Sequence, residues 1–296
     1  MKRDSILMPM QNDSRLTLLR RWLEQTLNIP VTRLEPASAD ASFRRYLRLW
    51  SGEAAPRIVM DAPPDKEDLA AYLRVSALLE DCRVHVPHVH AADTTLGFAL
   101  LEDLGATHML TCLNRGDDAQ ALYGAALDTL AQLQLRGDAA SRRLPPYDRA
   151  VLLREMRLMP EWFCGRHLRL TLCDAERQML DHTFEFLCEQ ALQQPLVFVH
   201  RDYHSRNLMV TPQRSPGVID FQDALRGPVG YDLASILKDC YIAWPRERVE
   251  DWVRGFRARL LDGGSAGRDL AGDGEASFLR DVDLIGLQRH IKVLGI

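Results

Sequence analysis

Residues 196–224 read LVFVHRDYHSRNLMVTPQRSPGVIDFQDA. An apolar run, Leu196–Val199, delivers His200-Arg201-Asp202, and Asn207 follows five residues after the aspartate. Leu208–Val210 reads as a second short strand, and Thr211, Pro212, Pro216 and Gly217 as a turn. Gly217–Phe221 reads as a third strand, carrying Asp220. A hairpin folded between Gln213 and Arg214 sets Asn207 opposite Asp220, with side chains close enough to share one ion. A single Asp or Asn in such a place is usually a turn or cap residue. Three of them at these spacings, each at a strand end, point to phosphoryl transfer. That chemistry asks for a carboxylate to accept a hydroxyl proton, here Asp202. It also asks for hard oxygens on Mg2+, here the amide of Asn207 and the carboxylate of Asp220.

Upstream the pattern is mixed. Leu16, Leu19, Leu23 and Leu27 predict a helix capped by Asp13 or Ser14 and stopped at Asn28. Arg44–Trp50, Arg57–Asp61 and Gly97–Glu102 read as strands, and Asp65 as the cap of a helix bearing Leu69, Tyr72, Leu73 and Leu79. Downstream, long helices are expected over 117–136, 148–163 and 174–193, and again near Tyr231 and Arg246. The five glycines of 262–275 read as a flexible loop. The expectation is a bilobal α+β fold: a small β-rich lobe over 1–104 and a larger helical lobe over 105–296 that carries the catalytic hairpin. A cleft between two such lobes is a common small-molecule site.

Composition narrows the function classes. The 296 residues are 46% hydrophobic and 26% charged, a globular profile, and the net charge of −4 offers no global attraction to nucleic acid or an anionic membrane. No apolar run approaches the roughly 18 residues that span a bilayer. The N-terminus has no signal-peptide apolar core, and the six cysteines form no C-x-x-C pair. A cytoplasmic monomer with a small-molecule substrate is expected. The histidines at 85, 88 and 90 lack a fourth ligand and read as an extended segment rather than a zinc site. Met159, Trp162 and Phe163 have the helical spacing of core residues, although aromatics there can also stack on a sugar.

Residues 200–235, including Gly230-Tyr231-Asp232-Leu233-Ala234, resemble the aminoglycoside-phosphotransferase-like kinases, a small-molecule branch of the protein-kinase-like fold. With Ser38-Ala-Asp-Ala-Ser-Phe-Arg-Arg-Tyr46 and Val59-Met-Asp-Ala-Pro-Pro64, the likeness is strongest to anomeric kinases of N-acetylmuramate and N-acetylglucosamine, used in bacterial cell-wall sugar recycling. The resemblance covers most of the chain and is least specific from about 105 to 190. It implies ATP and Mg2+ as cofactors, Asp202 as base, Asn207 and Asp220 as metal ligands, and Asp232 as a brace for the catalytic loop. It also implies a loop over the phosphates at 38–46, with Ser38 and Ser42 among its small residues, and an adenine hinge at Leu101–Leu104, with Glu102 and Leu104.

The chain departs from that pattern in two places. The 38–46 loop has no G-x-G-x-x-G, and the strand lysine of kinases is replaced by Met60. Lysine is scarce: Lys2, Lys66, Lys238 and Lys292 stand against 33 arginines, so Arg44 or Arg45 is the expected phosphate-binding charge. Seven arginines in 141–170 suit a neutral or anionic acceptor better than a polycationic one. The alternatives are an aminoglycoside, choline- or homoserine-type kinase, or a catalytically inactive nucleotide-binding protein.

Overall fold

The computed structural model describes residues 13–38 and 43–296. The chain divides into two compact units, one of residues through Leu73 together with Pro87–Asp103, the other of Arg74–Val86 with Leu104–Ile296. The 74–86 segment, assigned from sequence to the first lobe, thus groups with the second. It is hydrogen-bonded there: Val218 donates its N–H to the His85 carbonyl at 2.7 Å, and the Gln132 amide donates to the carbonyls of Cys82 and Arg83.

The first unit is a five-stranded antiparallel sheet in the order β1-β2-β3-β5-β4, built from β1 Arg33–Ser38, β2 Arg45–Trp50, β3 Arg57–Asp61, β4 Val89–Asp93 and β5 Phe98–Glu102. The alternation in β2 turns Leu47 and Leu49 to the core. There they meet Leu16, Leu19, Trp22 and Leu23 of the N-terminal helix, with Val59, Phe98 and Leu100. That helix, α1, runs over Ser14–Arg21 and continues as a π-helical turn over Trp22–Thr26. Asp13 caps it, accepting from the N–H groups of Arg15 and Leu16. The next helix, α2 Leu69–Asp81, begins later than its sequence signal. Asp68, not Asp65, accepts the Ala71 N–H at 3.0 Å.

The second unit is helical, with α3 Met109–Arg115, α4 Ala119–Arg136, α5 Asp138–Ser141, α6 Arg149–Met156 and α7 Asp174–Leu192 before its strands. Between α6 and α7, Met159–His167 forms a π-helical turn, so the helix expected over 148–163 is broken. Trp162 on that turn is 44% exposed beneath the Arg166 guanidinium, which corrects its reading as core. Two short ladders follow: β6 Leu196–Val199 pairs with β9 Leu225–Pro228, and β7 Leu208–Met209 with β8 Gly217–Val218. The chain ends in α8 Gly230–Leu237, α9 Arg246–Asp262, α10 Gly264–Ala271 and α11 Glu275–Leu294.

The helix α10 lies within the segment read as a flexible loop. Its glycines serve packing: a Cβ on Gly267 would stand 1.7 Å from the Leu260 carbonyl oxygen, so only glycine lets α10 lie this close to α9. No helix of the described residues is long and apolar enough to cross a membrane.

Candidate active site

The strand β6 leads into His200, and the following loop is held from beneath by Asp232 in the first turn of α8. The Asp232 carboxylate is fully buried and accepts the N–H groups of His200 at 2.6 Å and Arg201 at 3.0 Å. Burial pushes this carboxyl up to about 7, against the pull of those two N–H donors. The His200 ring spans the loop: Nδ1 accepts the Asp202 N–H at 3.2 Å, and Nε2 donates to the Ile219 carbonyl at 3.1 Å. Burial lowers its pKa, so the ring is a neutral structural bridge. Arg201 takes a left-handed φ of +78°, which turns the chain sharply just before Asp202.

The carbonyl of Asp202 accepts the N–H of His204 and the Asn207 side-chain amide, each at 3.0 Å. The loop is therefore fixed through the backbone of Asp202 rather than through its carboxylate. The same Asn207 Nδ2 lies 3.3 Å from Asp220 Oδ2. The two side chains meet, although the hairpin register differs from the expected one. Leu208 pairs with Val218 and Met209 with Gly217, and Ile219, not Asp220, donates to the Asn207 carbonyl. What returns Asp220 to Asn207 is its own left-handed φ of +63°, a conformation invisible to strand arithmetic.

The donor set suits Mg2+. An amide oxygen and a carboxylate are hard ligands, two in number, that leave positions for water and phosphate. Gln222, two residues after Asp220, donates from Nε2 to Asp220 Oδ1 at 3.0 Å, and its Oε1 is buried with no hydrogen-bond partner among the described residues. That buried oxygen beside the Asn207–Asp220 pair is the polar feature a cation or its water shell satisfies. Among the described residues no group of three or more His, Cys, Asp or Glu side chains forms a metal cluster. His85 instead places Nδ1 2.8 Å from the Arg214 carbonyl.

Distant sequence supplies partners that motif reading does not reach. Arg201 reaches Glu155 of α6 at 2.5 Å, and Lys292 of α11 lies 3.1 Å from the same carboxylate oxygen. The Tyr147 hydroxyl donates to the other oxygen, and Lys292 to the Tyr231 hydroxyl at 3.4 Å. Burial raises the pKa of Glu155, but Lys292, Tyr147 and Arg201 outweigh it and hold the carboxyl below its ordinary range. A buried carboxylate between two cations is an ion network whose members stand or fall together.

In the first unit, Met60 occupies β3 fully buried, opposite Tyr46. Arg45 is committed elsewhere: it pairs with Asp13 and with fully buried Asp61, which also takes Arg15 at 2.5 Å. Arg44 is buried and lies 3.5 Å from Glu67, whose other oxygen accepts the Phe43 N–H. Lys66 is half exposed, near Asp65. Ser38 ends β1 beyond a register shift, and Ser42 lies outside the described residues. Glu102 closes β5, accepting the His88 N–H at 3.2 Å. Leu104 is buried in the second unit, with a methyl group against Gly217.

The model of the phosphotransferase enzyme family matches residues 33–271. The chain is 43% identical over 297 residues to an N-acetylmuramate/N-acetylglucosamine kinase of Pseudomonas putida, covering 97% of this chain and 85% of the relative. It is 43% identical over 283 residues to the kinase of the same name from Neisseria meningitidis, covering 94% and 81%. Among solved structures, the GDP complex of aminoglycoside 2'-phosphotransferase-IIIa matches with a TM-score of 0.63 at 14% identity, over 94% of this chain and 90% of that one. At that identity the likeness is one of fold, and the fold is protein-kinase-like. A loop pinned by Asp232, with Asn207 and Asp220 brought side by side, sits inside the matched region, and the chain belongs to the phosphotransferase enzyme family.

Proposed function

We propose that this chain is an ATP- and Mg2+-dependent kinase that phosphorylates the anomeric C1 hydroxyl of N-acetylmuramate or N-acetylglucosamine, acting as a cytoplasmic monomer. The observation that carries the phosphoryl-transfer reading is the meeting of Asn207 and Asp220 beside the loop of Asp202. The acceptor is supported by near-full-length likeness to two kinases named for those sugars.

In this reading Asp202 accepts the proton of the acceptor hydroxyl as its oxygen forms the new bond to the γ-phosphorus and ADP departs. Its carboxylate is available for this because the loop is tied through other groups. Asn207 and Asp220 hold Mg2+, which when bound neutralises charge on the phosphates. Residues 38–46, Glu102 and Leu104 are proposed to contact the nucleotide.

The first unit has its own version of the kinase ion pair. Protein kinases link a β3 lysine to a helix glutamate. Here Arg44, entering β2, is linked to Glu67 just before α2, and we assign it the phosphate-facing charge. Arg45, with two carboxylates already, is the weaker of the two candidates named from sequence. Replacing Arg44 by Ala is therefore expected to raise KM for ATP and lower kcat together, whereas Lys66→Ala leaves both within about twofold, as is usual for exposed side chains. Steady-state kinetics at varied ATP checks this, and a crippled Lys66→Ala enzyme contradicts it.

The product tests the acceptor site. A C1 phosphate removes the reducing end, so phosphorus NMR combined with a reducing-end assay should show a glycosyl phosphate and loss of reducing sugar. A product that keeps its reducing end, or efficient turnover of kanamycin-like compounds, defeats the anomeric reading.

A further inference from the structure

Arg289 of α11 is a buried cation with an unpartnered nitrogen. It is 5% exposed, and its Nη1 has no hydrogen-bond partner among the described residues. A guanidinium withdrawn from water is costly unless an anion compensates, so such a group calls for an explanation. Its place on the helix is defined by its neighbours. Ile285, one turn earlier, packs against Gly230 at the start of α8, and Lys292, three residues on, reaches Tyr231 and Glu155. Positions 285, 289 and 292 lie on one stripe of the helix, so Arg289 stands over the first turns of α8, beneath the catalytic loop.

The groups that feel its charge agree with that placement: Asp232, Tyr231 and His204. His204, two residues after Asp202, has its ring edge on Tyr241 and its Nδ1 buried, also with no partner among the described residues. Two unpartnered polar side chains therefore accompany the base, and one of them is cationic.

The two acceptor sugars differ in one group: N-acetylmuramate carries a lactyl carboxylate and N-acetylglucosamine does not. The arginines of 141–170 do not offer this charge deep in the fold. Arg142, Arg149 and Arg166 lie at the surface against Asp138, Glu185 and Glu161. We propose that Arg289 binds the carboxylate of the acceptor and is the residue by which this site distinguishes N-acetylmuramate from N-acetylglucosamine. The inference rests on the amino-sugar reading above. The competing account is that Arg289 only balances the buried charge of Asp232.

The test crosses residue with substrate. The kcat/KM is measured for N-acetylmuramate, its methyl ester and N-acetylglucosamine, with the wild-type chain and with Arg289→Met. Wild type should prefer the free acid over the ester by about tenfold or more, as for a hydrogen bond between charged groups. In Arg289→Met the acid and ester should converge, and the ratio of N-acetylmuramate to N-acetylglucosamine should fall by a similar factor. A parallel fall for both sugars makes Arg289 a counter-charge of Asp232 and overturns the proposal. So does equal use of acid and ester by wild type, a comparison that needs no variant to fold. If neither sugar is phosphorylated by wild type, the amino-sugar reading fails and this inference with it. Turnover of both with an unchanged ratio defeats the inference alone.

Discussion

Asp202→Asn is expected to lower kcat by about 10²- to 10⁴-fold, the usual contribution of a positioned general base. The substitution is nearly isosteric, and the loop should keep its shape. The carbonyl of residue 202 still receives His204 and Asn207, and its N–H still donates to His200. What disappears is the proposed proton acceptor. ATP affinity should stay within about twofold of wild type, since the side chain makes none of the hydrogen bonds that hold the loop. Stopped-assay kinetics together with nucleotide titration separates these quantities. Near-normal turnover removes Asp202 from the mechanism. A loss of ATP affinity as large as the loss of kcat makes it a structural residue instead.

Asp220→Ala is expected to abolish the Mg2+-dependent part of ATP binding and with it all measurable transfer. Asp220 is the carboxylate of the proposed ligand pair, and its substitution also releases the side-chain amides of Asn207 and Gln222 that face it. Removing one partner of a buried polar group leaves the others unsatisfied, which compounds the direct loss. Asn207→Ala should be milder for metal, because it removes a neutral oxygen, yet it also cuts the tie to the Asp202 carbonyl. It should therefore depress kcat more than it weakens Mg2+-ATP. Isothermal titration with and without Mg2+ decides; equal affinities in wild type and Asp220→Ala contradict the assignment.

The parts of this molecule that sequence made legible are those in which chemistry and local pattern coincide. His200 to Asp220 carries its pattern in spacing alone, β2 announces itself by alternation, and β3 and β5 by short apolar runs. The strands without a clear sequence signal are the two edges of the five-stranded sheet and β9. The strand β1 contains Pro36, tolerable on the outermost strand of the sheet. The strand β4 is the other edge, and β9 is four residues with Gly227 and Pro228. Backbone conformation was equally hidden. A hairpin register one residue off, corrected by the left-handed turn at Asp220, yields the same neighbours from a different ladder. The glycine-rich 262–275 segment misled for the opposite reason, since its glycines admit close helix packing rather than flexibility. Glu155, Arg289 and Lys292 had no local signal at all. Their importance comes from long-range folding that brings α6 and α11 to a loop more than 40 residues away from the first and 80 from the last.

The Glu155–Arg201 contact bears on how such an enzyme is governed. In kinases switched by phosphorylation, a basic cluster waits for a phosphate added to a mobile segment, and catalysis begins when that charge arrives. Here the catalytic-loop arginine already holds a carboxylate that is part of the fold, and Lys292 shares the same carboxylate oxygen. The receptor for an incoming phosphate is filled before any signal is sent. At this point no added phosphate is needed to complete the contact: the fold itself supplies the anion.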